Sequence, residues 1–213
     1  MNKQKTVLLS VVSLLILFAF GTYAYNSYKA DEAANIAKKN EEKFIRDYST
    51  VIGNSDAKVT IVEFLDPACE TCREFYPILK NLLAKHKGNV RHVIRYAPFH
   101  PNSDYVVKLL EATKKQGKYI QTLEALFRYQ NQWASHHSPN LNVVWQLMAH
   151  IGLNIEQLKK DFNDPALDEL IKQELLDAKT LGVKKTPQYF VNGKMLQKFG
   201  QKQLLELIDS ELK

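Results

Sequence analysis

Only two cysteines occur in the 213 residues, Cys69 and Cys72. So small a number excludes a framework of several stabilising disulfides, the device by which many small exported domains hold together. Long charge runs of one sign are also missing. The formal charge of +6 owes two of its charges to Lys3 and Lys5, and the remaining bases lie scattered among acids. Nucleic-acid binding therefore gets no support. No internal repeat or low-complexity segment interrupts the chain. The six histidines do not complete a metal-ligand spacing with the cysteines: His92 falls in a predicted strand, His100 stands beside Pro101, and His136-His137 lie in the loop from Ser135 to Pro139. No metal and no cofactor is assigned.

One long apolar run is present. Lys3 and Lys5 precede an uncharged, mostly apolar stretch of 19 residues, Val7 to Tyr25. A signal-peptide core is typically about 7–15 residues, whereas about 20 are needed to span the hydrocarbon of a bilayer. Residues 1–25 are read as a signal-anchor, with a cleaved signal peptide as the alternative, since small residues at Gly21 and Ala24 suit a peptidase. With the lysines inside, everything after Tyr25 faces outward. The expectation is a periplasmic or extracytoplasmic protein anchored in the cytoplasmic membrane by residues 7–25, or released to the periplasm after cleavage.

Residues 26–49 include an Ala-, Lys- and Glu-rich stretch with few large apolar side chains, which predicts a solvated helical spacer. Folded structure is expected over 50–213. Val59, Ile61, Val62, Phe64 and Leu65 make a β-branched and aromatic run suited to a buried strand. Phe75, Ile78, Leu79, Leu82 and Leu83 then recur at helical spacing up to Lys87-Gly88, and a second strand follows at Val90 to Tyr96. From about 98 to 181 the pattern is helical only, with helices predicted around 106–113, 144–151, 155–162 and 167–175. Phe127, Tyr129, Trp133 and Trp145 are assigned to the core of this insertion. Strand pattern returns at Gln188 to Val191, turns at Asn192-Gly193 and pairs back through Lys194 to Leu196, before a closing helix at about 201–212.

The Cys69-Glu70-Thr71-Cys72 spacing explains itself chemically. Thiol–disulfide exchange needs a thiolate attacker and a second thiol able to displace the mixed disulfide. At a helix start, Cys69 is expected at the exposed tip and Cys72 one turn inward, near enough to bridge. Free N–H groups and the positive helix end lower the pKa of Cys69 below the free value of about 8.5. Cys69 is thus the nucleophile and Cys72 the resolving thiol.

Two segments carry a resemblance. The run Phe64-Leu65-Asp66-Pro67-Ala68-Cys69-Glu70-Thr71-Cys72 and the later Gly182-Val183-Lys184-Lys185-Thr186-Pro187-Gln188-Tyr189-Phe190-Val191-Asn192-Gly193 resemble the DsbA-type branch of the thioredoxin superfamily. The resemblance covers roughly 51–213 and implies an α/β thioredoxin fold with an inserted all-helical subdomain, preceded here by the N-terminal hydrophobic helix. It implies that Pro187 is cis beside the CxxC, that the Thr186 backbone can bind a substrate peptide, and that Glu63 is a buried acid. As a buried acid, Glu63 would exchange protons with Cys72; as a strand-edge acid it would simply be solvated. Pro77 falls where thioredoxins kink the active-site helix. Strongly oxidising members place a histidine between the cysteines, whereas here Glu70 and Thr71 stand there, and a neighbouring carboxylate disfavours the thiolate.

These observations point to an enzyme, a protein thiol–disulfide oxidoreductase that exchanges the Cys69–Cys72 disulfide with cysteines of exported polypeptides, as an oxidase. The resemblance implies a membrane redox partner of the DsbB type. A disulfide reductase or isomerase is the alternative within redox chemistry. A non-catalytic peptide-binding or chaperone module and a metal-binding thioredoxin-like module are the alternatives outside it.

Overall fold

A computed structural model describes residues 3–39, 41–134 and 139–213. His136 and His137 lie outside the described residues. The chain divides into two compact units, residues 1–40 and Glu41–Lys213. In the first, helix α1 runs from Lys3 to Lys39. Within it, Val11–Lys29 is 19 residues long with a mean hydropathy of 1.3, long and apolar enough to cross a membrane. Its large apolar side chains, Leu14 to Phe18 and Phe20 among them, are exposed.

The second unit starts earlier than the expected residue 50. Phe44, at the end of the short helix α2 (Glu41–Phe44), is buried, its ring edge-on to Phe190 at 5.0 Å. Arg46 follows, donating from Nε and Nη2 to Asp177 at 2.8 and 2.7 Å. The segment expected to be solvated spacer is therefore packed on the domain over its last residues, because one aromatic and one guanidinium find partners far along the chain.

Five strands form one sheet in the order β1-β3-β2-β4-β5: β1 Thr50–Ile52, β2 Val59–Leu65, β3 Val90–Tyr96, β4 Gln188–Val191 and β5 Lys194–Met195. Central β2 and β3 are parallel, in register from Val59↔Val90 to Leu65↔Tyr96, and the other pairs are antiparallel. A parallel pair covered on both faces needs apolar side chains on both, which is why β2 reads as a mostly apolar run, whereas β3 also buries His92 and Arg95. Helix α3 (Glu70–Lys85) makes the crossover between them. Leu79 and Leu82 of α3, with Leu204 and Ile208 of the last helix α10 (Gln201–Leu212), are buried with Val59, Ile61, Tyr189 and Val191. Each such fully buried aliphatic contributes about 1.5–3 kcal/mol relative to exposure.

The other, larger core gathers the insertion: α4 Ser103–Ala112, a 3₁₀ turn Thr113–Gln116, α5 Tyr119–Arg128, α6 Gln130–Trp133, α7 Leu141–His150, α8 Ile155–Phe162 and α9 Pro165–Thr180. The sequence pattern gave no separate helices over 119–133, where α5 and α6 form. Their core face mixes Tyr119, Thr122 and Ala125 with Leu123, Leu126 and Phe127, which blurs the apolar stripe. Trp133 is fully buried and donates to the Leu126 carbonyl at 2.7 Å, which fixes it in the core and away from any binding surface. The Asn192-Gly193 turn has φ of 47° and 79°. Both central residues of this hairpin need the left-handed region, which asparagine and glycine tolerate best. Asn192 also accepts the Thr60 N–H at 2.8 Å, tying the hairpin to β2.

Candidate active site

The turn between β2 and α3 is organised by Asp66, which is fully buried. Its Oδ1 accepts the Ala68 N–H at 2.8 Å, and its Oδ2 accepts the N–H groups of Phe99 and His100 at 2.8 and 3.0 Å and the Ser103 hydroxyl at 2.9 Å. The His100 Nδ1 sits 2.7 Å from the same Oδ2. A buried carboxylate with this many donors locks the turn to the loop after β3. The Asp66 carbonyl accepts the Cys69 N–H at 3.0 Å, and Gln130 of α6 donates to the carbonyls of Pro67 and Cys69 at 2.8 and 3.0 Å. Cys69 is thereby held at the N-cap of α3, with φ −77° and ψ 120°.

Both cysteines are free thiols. Cys72 is fully buried, one turn inward, and burial pushes its thiol well above the ordinary range, with Cys69 and Glu63 adding to the shift. Cys69 is only 6% exposed rather than standing at an open tip. The loop before β4 lies over it, and its thiol donates to the Thr186 carbonyl at 3.3 Å. The pKa of Cys69 is pulled down to about 6. A hydrogen bond with Cys72 is the main cause; burial opposes it, while the Thr186 side chain and the N–H groups of Cys72 and Thr71 reinforce it. These N–H groups are the unpaired donors of the first helical turn. Glu70, expected to oppose the thiolate, is exposed and is not among the leading influences on Cys69.

Thr186 and Pro187 are joined by a cis peptide bond. Pro187 is buried and Thr186 partly so. Pro77 lies within α3 on its exposed side. Glu63, in the middle of β2, is 1% exposed, so it is no solvated edge acid. It accepts the Tyr189 hydroxyl at 2.9 Å, and its other oxygen lies 2.9 Å from the His92 Nε2, though out of line for a hydrogen bond. The structure thus gathers Cys69, Cys72, Glu63, Thr186 and Pro187 around the start of α3. Asp66, His100, Gln130 and Tyr189 join them, and sequence reasoning assigned none of these four a part. Of the four, only Asp66 and Tyr189 stood inside a motif; nothing local to His100 or Gln130 marks their long-range contacts. Among the described residues, no group of three or more His, Cys, Asp or Glu could hold a metal ion.

The thioredoxin family model matches residues 45–210. The crystal structure of a thioredoxin-like oxidoreductase from Silicibacter pomeroyi is 30% identical and superposes with a TM-score of 0.69, covering 80% of this chain and 96% of that one. The probable disulfide bond formation protein D of Bacillus cereus is 28% identical over 224 residues and is covered in full. The Na(+)/H(+) antiporter NhaA of Herminiimonas arsenicoxydans is 29% identical over 145 residues, which is 68% of this chain and 22% of the antiporter. The chain therefore spans about a fifth of the length of the antiporter relatives it matches.

Proposed function

We propose that this chain, which belongs to the thioredoxin family, is a thiol–disulfide oxidoreductase of the DsbA type that oxidises cysteine pairs in exported polypeptides through a Cys69–Cys72 disulfide. The arrangement that supports this direction best is Cys69 at the N-cap of α3, beside a fully buried Cys72 and the first-turn N–H groups, which pull its pKa down to about 6. A leaving thiol that is stable as a thiolate leaves readily, and a stabilised reduced form makes the disulfide more oxidising.

The residues divide the work. A substrate thiolate attacks the Cys69 sulfur, the Cys69–Cys72 bond breaks, and Cys72 leaves. Because burial disfavours its thiolate, Cys72 takes a proton as it leaves, and Glu63, buried behind the site, relays to it the proton that the substrate thiol gives up on forming its thiolate. The second substrate thiolate then attacks the mixed disulfide and Cys69 leaves as thiolate. The substrate has lost two electrons and the enzyme has gained them. Thr186 offers its backbone to the incoming peptide beside Cys69.

On this proposal α1 anchors the protein in the cytoplasmic membrane through Val11–Lys29, residues 41–213 face outward, and a DsbB-type membrane partner restores the disulfide. Signal-peptide cleavage would release the same domain into the periplasm. The second reading, a reductase or isomerase kept reduced by a membrane donor, draws on the acidic Glu70 between the cysteines, whose exposure limits its hold on Cys69. The reduction potential separates them: near about −120 mV supports the oxidase and near about −270 mV the reductase. Trapping with Cys72→Ala should leave exported proteins disulfide-linked to Cys69. If none is captured and the purified protein neither gives nor accepts a disulfide, the proposal fails.

A further inference from the structure

The dipeptide between the cysteines carries no cation, yet one titratable base from another part of the fold is bound to the residue that also holds Cys69. His100 sits in the loop after β3, and Asp66 binds it through both its backbone N–H and its ring Nδ1. The same Asp66 holds the Cys69 N–H on its carbonyl. His100 and Cys69 are therefore both hydrogen-bonded to one residue, the first to its carboxylate and the second to its carbonyl. A fully buried carboxylate so close to Cys69 would repel a thiolate; a protonated imidazole on that carboxylate cancels the repulsion. We propose that His100, oriented by Asp66, is a positioning residue that places a switchable positive charge beside Cys69 and so favours its thiolate. The inference rests on Cys69 being the exchanging thiol.

The charged and titratable groups that bear most on His100 are Asp66 in the turn, Cys69, and Glu70 at the start of α3. All three favour the imidazolium, the hydrogen bond to Asp66 first, and together they outweigh partial burial and hold His100 above the usual histidine range. Coupling between two sites is reciprocal: if the imidazolium stabilises the thiolate, the thiolate must stabilise the imidazolium by the same factor. Reduction of the disulfide creates that thiolate at Cys69. Hence His100 should bind its proton more tightly in the reduced protein than in the oxidised protein, and one substitution at His100 should move the ionisation of Cys69.

The test is an NMR titration of side-chain-labelled histidines in the full chain in detergent micelles, oxidised against reduced, with the 240 nm thiolate absorbance followed in parallel. His100 should titrate at higher pH in the reduced form. In His100→Asn, which keeps a donor toward Asp66 but carries no charge, the Cys69 ionisation constant should fall by ~3-fold or more. Identical His100 midpoints in the two redox forms, or an unmoved Cys69 titration in a variant with the wild-type melting temperature, would overturn the inference. Should the variant not fold, the wild-type comparison decides alone. Equilibration of the same samples with glutathione tests the exchange activity separately, so an inert active site and an uncoupled His100 give different results.

Discussion

The Cys69 sulfur lies 3.3 Å from the carbonyl oxygen of Thr186, across a separation of 117 residues. The contact joins the start of α3 to the loop before β4 and leaves the attacking thiol only slightly exposed. Small reagents and extended peptides should reach it, whereas bulky folded partners should not reach Cys72 at all.

A Cys69 pKa near about 6 makes the thiolate dominant at neutral pH and sends it away as pH falls through that value. The unfolded thiol ionises near about 8.5, so the thiolate stabilises the reduced fold fully above that pH and progressively less between there and about 6. The melting temperature of the reduced protein should rise relative to the oxidised protein as pH is raised across this window. Calorimetry on both forms checks it, and a constant gap would contradict the assigned ionisation.

Glu63→Gln removes the proton exchange but keeps the shape and an acceptor for the Tyr189 hydroxyl. General acid–base groups of this kind contribute about 10²-fold or more. Steps in which Cys72 takes up or loses a proton should slow by roughly that factor, and Cys69 alkylation should change little. Rapid-quench mass spectrometry of the mixed disulfide reads the difference; unchanged decay would assign Glu63 a purely structural part.

Arg95 of β3 is fully buried and joins Glu174 at 2.8 Å and Asp177 at 2.7 Å, while its guanidinium stacks 5.2 Å from the Phe64 ring. Arg46 meets Asp177 from the N-terminal side. Arg95→Met keeps the apolar stem but leaves Glu174 buried with the Tyr96 N–H and without its cation, and Asp177 with Arg46 as its remaining cation, a loss of about 3–5 kcal/mol. Urea unfolding should show it as a lower midpoint with the same slope, and the folded fraction should retain its thiol titration. A loss below about 1 kcal/mol would mean that the carboxylates find other partners.

Short-range patterns account for what the sequence disclosed. The β-branched run of β2, the apolar spacing of α3 and the Asn192-Gly193 turn each act within a few residues, and the strand–CxxC–helix–strand order follows from them. What escaped notice depends on partners distant in sequence. Phe44 and Arg46 look like spacer until Phe190 and Asp177 are brought to them. His100 looks like any loop histidine until Asp66 reaches it from 34 residues upstream. Glu63 could not be assigned a face by alternation, because in a strand covered on both sides alternation carries no signal.

The helical insertion separates the CxxC from the strand loop that faces it. A nascent polypeptide with residue 186 not yet made already displays both thiols but lacks the carbonyl that receives Cys69 and the partner strand that supplies Tyr189 to Glu63. The newborn chain has its sulfur atoms early and its reactivity late, and only the finished molecule owns a working site.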